Sequence, residues 1–179
     1  MTAGGGEQHP DLAGLGGAMR AEWRAEQADA AADAAAQWRH GRTLADWLGE
    51  RMHAGDRVAA TIGGQRFSGL VEEIGPDLLG LRCAFGRVDL HVAPGASLFF
   101  EIADKAHAGG ERARSSRTFH AALMERDAHP DMTIGTLHDP EGLDGALYVG
   151  QDFVSLVARL GAETVVPLHC VTWASARRN

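Results

Sequence analysis

The strongest constraint in this sequence is an internal repeat. Laying residues 42–98 over residues 117–173 at a constant shift of 75 gives eleven identities. Arg42-Thr43 meets Arg117-Thr118, Glu50-Arg51 meets Glu125-Arg126, and Asp56 meets Asp131. Leu48 with Leu123, Thr61 with Thr136, Gly75 with Gly150, Asp77 with Asp152, Leu81 with Leu156 and Gly86 with Gly161 complete the set. The matches fall on caps, turns and apolar positions together, which is the trace a shared structural unit leaves. Near residues 67–71 a one-residue slip is needed to bring Gly69 onto Gly145. Duplication is the favoured reading, and convergence of two similar segments is the other.

Each copy reads as a short helix followed by five short strands. In the first, Thr43 can cap a helix whose face holds Leu44, Trp47, Leu48 and Met52, and Gly55 stops it. Apolar runs then follow at 58–62, 67–74, 78–85, 88–92 and 98–102, separated by Gly63-Gly64, Gly75-Pro76-Asp77, Gly86-Arg87 and Ala93-Pro94-Gly95. These separators are hairpin signals. In the second copy Ser115 or Ser116 can open a helix carrying Phe119, Ala122 and Leu123, which Pro130 closes. Strands are expected at 133–137, 143–149, 153–160, 164–168 and 171–174.

Ahead of the repeat, residues 1–17 hold six glycines and one proline and read as a flexible tail. Residues 18–41 are rich in Ala, Glu, Gln and Arg and predict a helix that Gly41 ends. Trp23 and Trp38 lie fifteen residues apart, close to four turns, and so share a face with Ala30, Ala31 and Ala34 between them. The domain plan is therefore a tail (1–17), an N-terminal helix (18–41), a first repeat (42–102), a linker (103–114) and a second repeat (115–179).

The whole unit in this form resembles the Sm-like or Hfq-like small β-barrel. The carrying stretch is VAATIGGQRFSGLVEEIGPDLLGL at 58–81: a first strand, a Gly-bearing second strand and an Asp-led third. Gly145-Ala-Leu and Gly150-Gln-Asp-Phe-Val-Ser-Leu carry it in the second copy. SH3-like barrels share most of these features, and the tandem layout resembles that of high-GC actinobacterial proteins. The resemblance implies an α+β, mainly β fold: an N-terminal helix followed by two helix-plus-five-stranded small β-barrels. In the family, RNA is gripped by a polar residue after the Asp-led turn and by an Arg-Gly near the last strand. Here Asp77 is followed by Leu-Leu-Gly, Asp152 by Phe-Val-Ser, and the fifth strand reads Ser-Leu-Phe-Phe-Glu, so no RNA-contacting residue carries over.

Charge narrows the partners. The net charge is −7, which on average repels nucleic acid and anionic membrane. Only residues 103–129 lean positive, with five basic and four acidic side chains. Arg112, Arg114, Arg117 and Arg126, with Lys105 nearby, are therefore the candidate nucleic-acid contacts, against the alternative of a solvated linker offset by Asp104, Glu111 and Glu125. Trp23 and Trp38 are the candidate partner-binding residues, against simple packing.

Other chemistry is thin. His120, His129 and His138 recur every nine residues, but with no HxH, HxxxH or CxxC spacing they read as surface and turn residues rather than metal ligands. Asp77 and Asp152 read as turn-fixing residues. Cys83 and Cys170 lie in apolar runs and read as reduced thiols. No apolar run approaches a membrane span. The expectation is a cytoplasmic, non-enzymatic adaptor with no cofactor, no metal and no catalytic residue. It binds a protein partner or itself through the N-terminal helix, and RNA or DNA binding through the linker and the groove between repeats is the alternative.

Overall fold

The computed structural model describes residues 12–92, 98–105, 109 and 113–176. The chain divides into two units, residues 1–43 and 44–179. The first unit contains one helix, α1 (Leu12–Gly41), which begins six residues before the expected start at Ala18. The second opens with α2 (Leu44–Ala54) and continues through β1 (Arg57–Ile62), β2 (Gln65–Ile74), β3 (Leu78–Cys83), β4 (Gly86–His91) and β5 (Leu98–Asp104). Then come α3 (Phe119–Met124), β6 (Met132–Thr136), β7 (Leu143–Val149), β8 (Phe153–Val157), β9 (Glu163–Pro167) and β10 (Val171–Ala176).

Local chemistry explains the elements. Asp46 in the first turn of α2 and Arg51 and His53 in the last suit the helix dipole. Leu48 and Met52, four residues apart, face the core together. The second-copy helix is shorter than expected. Thr118, the counterpart of Thr43, caps it by accepting from Ala121 N at 3.2 Å, so neither serine is the cap. Ser115 instead accepts from Arg117 N. The Asp-led turns agree between copies: Gly75 N donates to Leu78 O and Gly150 N to Phe153 O, both at 2.8 Å.

The expected pair of separate barrels is not what forms. All ten strands join one antiparallel sheet in the order β5-β1-β2-β3-β4-β10-β6-β7-β8-β9. Each set of five keeps the same internal order, with its fifth strand returning beside its first. Closing a five-stranded barrel would require β4 to pair with β5. The β4 edge is instead taken by β10, through Leu90↔Trp173, Asp89↔Ala174 and Val88↔Ser175. The strands therefore run on as an open sheet, and β5 and β9 are left at its ends.

Two hydrophobic clusters lie against this sheet, and they exchange residues. The first holds Leu48, Met52, Val58, Phe67, Leu79, Leu81 and Leu90, but also Trp173 from β10. The second holds Phe119, Leu123, Met132, Ile134, Leu147 and Val154, but also Leu78 from β3. Asp77 beside Leu78 accepts from Phe119 N at 2.8 Å, and His91 stacks on Phe119 with ring centroids 4.6 Å apart. A sequence boundary at the linker thus does not divide the packing.

Register refines the repeat. A Cβ on Gly69 would strike the backbone carbonyl of Arg82, and one on Gly145 that of Val157, so these two glycines are structural counterparts. Gly69 pairs with Val58 and Gly145 with Met132, both buried. Val58 therefore corresponds to Met132, a shift of 74, while Gly69 corresponds to Gly145, a shift of 76. The ladder of β2 breaks register between Val71 and Glu73, and that of β7 runs without a break, so the shift returns to 75 at Ile74 and Val149. A one-residue error matters here because it turns a strand's faces over.

Candidate functional site

The correspondence of strands identifies which surface residues stand in special places. Ala60 pairs with Phe100, and Ile134 with Ala174. Phe99 of β5 is therefore the counterpart of Trp173 of β10. Leu79 pairs with Leu90, and Val154 with Val166. Val165 of β9 is therefore the counterpart of Asp89 of β4. At the internal seam Trp173 is 4% exposed and Asp89 0%. At the outer edges Phe99 is 56% exposed and Val165 59%. Ile102 on β5 and Leu160 before β9 add further exposed apolar surface.

The seam itself is built from ion pairs. Arg87 Nε donates to Asp89 Oδ1 at 2.8 Å, and Arg126 Nη2 lies 2.5 Å from Asp89 Oδ2. Glu73 accepts from both Arg87 and Arg117, and Arg117 also pairs with Glu125. Three guanidinium groups thus face three carboxylates across β2, β4 and the flanks of α3. Burial alone would raise the Glu73 pKa, but the hydrogen bonds from Arg117, Arg87 and Ser115 outweigh it and bring the carboxyl from 4.5 down to about 2. Burial opposes the Arg87 charge as well, yet Glu73 and Asp89 hold its pKa above the ordinary value. The hydrogen bond to Glu73 does the same for Arg117. At Arg126 burial wins over the attraction of Asp89 and the pKa falls below the ordinary value.

The basic residues singled out in the linker region are therefore spread among separate partners. Arg114 donates to Asp46 at 2.5 Å. Arg117 and Arg126 belong to the seam network, and Arg126 is largely buried. Arg112 lies outside the described residues. Lys105 follows β5, apart from these pairs. On α1, Trp23 is 61% and Trp38 58% exposed, and the Arg42 guanidinium lies 4.2 Å from the centre of the Trp38 ring.

The histidines do not gather. His120 Nε2 is 2.9 Å from Gly150 O, and His129 Nδ1 accepts from Asp131 N. Among the described residues no three His, Cys, Asp or Glu side chains are grouped to hold a metal. Cys83 is buried, which pushes its thiol pKa up and lowers its reactivity. A cleft of about 680 Å³ opens beside β7 and the β8–β9 turn, lined by Met132, Gly145, Ala146, Val157 and Arg159. Its charged groups are engaged locally: Arg159 with Asp131, and Asp144 with Thr133. No helix among the described residues is long and apolar enough to cross a membrane.

No protein-family model, curated protein or solved structure matches this chain.

The edge residues Phe99 and Val165 and the seam residue Trp173 escape a reading of the sequence. A constant shift of 75 sets Trp173 against Leu98 rather than Phe99, and Val165 against Leu90 rather than Asp89. The signal that could find them is the strand-face alternation, which already calls for the shift to change within the repeat.

Proposed function

We propose that the protein is a non-enzymatic interaction protein that binds a protein partner or a second copy of itself. The observation that carries this reading is the exposure of Trp23 and Trp38 on α1. Fifteen residues of helix set them within about 60° of each other around the axis and about 22 Å apart along it. Exposed indoles are costly in water and are the side chains that dominate protein interfaces. The stacked Arg42 holds the Trp38 ring in place beside a positive charge.

The nucleic-acid alternative draws no comparable support, since Arg114, Arg117 and Arg126 each face a carboxylate. The test is a double variant, Trp23→Ala with Trp38→Ala, in the full chain. Self-association or partner capture should fall at least tenfold while the thermal unfolding midpoint of the sheet stays put. If every association survives both substitutions, α1 is not the docking element. A salt-dependent gel shift with RNA or DNA that Arg114→Ala and Arg117→Ala abolish would favour the alternative instead.

A further inference from the structure

We infer that copies of this chain associate head to tail, the β9 edge of one pairing antiparallel with the β5 edge of the next. The inference deepens the interaction reading by naming the partner as a second copy and the surface as the two ends of the sheet.

The chain already contains one such junction, between β4 and β10. β9 stands in the second half where β4 stands in the first, and β5 stands in the first where β10 stands in the second. These two edges, to which no strand pairs among the described residues, are thus the complementary halves of the seam the chain builds internally. Translating the seam register through the strand correspondences gives Phe99↔Val166, Phe100↔Val165 and Glu101↔Thr164 between copies. Pro167, which lacks a backbone donor, falls just beyond this stretch.

Side chains agree with the backbone. Trp173 crosses the seam and packs edge-on against Phe67, with ring centroids 5.0 Å apart. Among the described residues no strand pairs with the outer edge of β5, and Phe99, the counterpart, is exposed. In the head-to-tail contact it would lie beside Val166 and reach Leu143, which occupies the position of Phe67 and packs on the second cluster. Val165 replaces the buried Asp89, so at that position the contact between copies needs no arginine partners, and Glu101 in the contact keeps its own ion pair with Arg66. An edge carrying exposed apolar side chains is a template for further strand pairing, and the charges beside them, Glu101 and Glu163, are engaged by Arg66 and Ser155 within their own halves. Because the two surfaces differ, the contact is heterologous and extends until the rotation per copy closes a ring.

The experiment uses cysteine pairs in the full chain with Cys170→Ser, Cys83 being buried. Glu101→Cys and Thr164→Cys chains are mixed and oxidised. The expected result is a disulfide-linked dimer at least tenfold above either variant alone, and a ladder of higher species from the double variant. Sedimentation of the otherwise unaltered chain should show association that rises with concentration, does not weaken at high salt, and is lost in Phe99→Asp with Val165→Asp at an unchanged unfolding midpoint. A cross-link no stronger than the single-variant controls, or association that the two aspartates leave intact, overturns the proposal. If the cross-link is absent while Trp23→Ala and Trp38→Ala abolish association, the interaction reading stands and the edge pairing falls. If the cross-link forms and the tryptophan variants change nothing, the edge pairing stands and the role given to α1 falls.

Discussion

The seam and the outer edges of the sheet are built from corresponding strands, yet they present opposite surfaces. At the seam Trp173 and Asp89 are buried, the one by aromatic packing and the other by two arginines. At the edges Phe99 and Val165 stand in the same places and face water. The difference teaches how one strand arrangement can serve two purposes. The seam is fixed by a charge network that has no analogue among the described residues on the β9 side, where Ser155 donates to Glu163 within the same half. The outer edges instead carry Phe99 and Val165 exposed.

The comparison can be broken first at the seam. Trp173→Ala should cost about 4 kcal/mol, the usual penalty for deleting a buried indole, measured by denaturant unfolding. The same substitution at the counterpart, Phe99→Ala, should change the stability of the monomer by less than about 0.5 kcal/mol. Equal losses at the two sites would show that the correspondence misjudges the edge.

Asp89→Ala should come next, at about 3 kcal/mol, because it leaves Arg87 and Arg126 facing each other without their shared carboxylate. Val165→Ala, its edge counterpart, should be nearly silent. A wild-type unfolding curve for Asp89→Ala would mean that the network is peripheral to the seam.

The smallest effect is read by pH. The Glu73 carboxyl is held at about 2 in the folded chain against an ordinary 4.5. A depressed carboxylate pKa adds stability that is complete above about pH 4.5 and is lost as the pH falls toward 2. The shift corresponds to at most about 3 kcal/mol, and less once the partial exposure of its arginine partners is counted. Stability measured down this range should therefore drop in the natural chain and drop less in Glu73→Gln. Parallel pH profiles would remove Glu73 from the account.

Much of the fold is legible in the sequence because its signals are local. The Gly75-Pro76-Asp77 and Gly150-Gln151-Asp152 turns close the same way, α2 begins after Thr43, and β7 spans the residues its alternation marks. The two barrels were not there to be found. Alternation states which face of a strand is buried but is silent on which edge meets which. The same holds for the candidate residues. Arg114, Arg117 and Arg126 form a basic run in sequence, and their carboxylate partners Asp46, Glu73 and Asp89 come from 37 to 68 residues away.

By itself, then, the sequence determined the helix of Trp23 and Trp38, the ten strands in their places, and the repeated turns between them. Capping, glycine conformation and apolar alternation act over a few residues, so each is written where it operates. Only the tertiary structure decided that β4 meets β10, that Trp173 leaves its own half for the neighbouring core, and that Phe99 and Val165 are left outside. Edge pairing is a contest among backbone groups that every strand carries alike. Its outcome rests on packing across the seam and on the Asp89 ion pairs, which no single stretch of sequence contains.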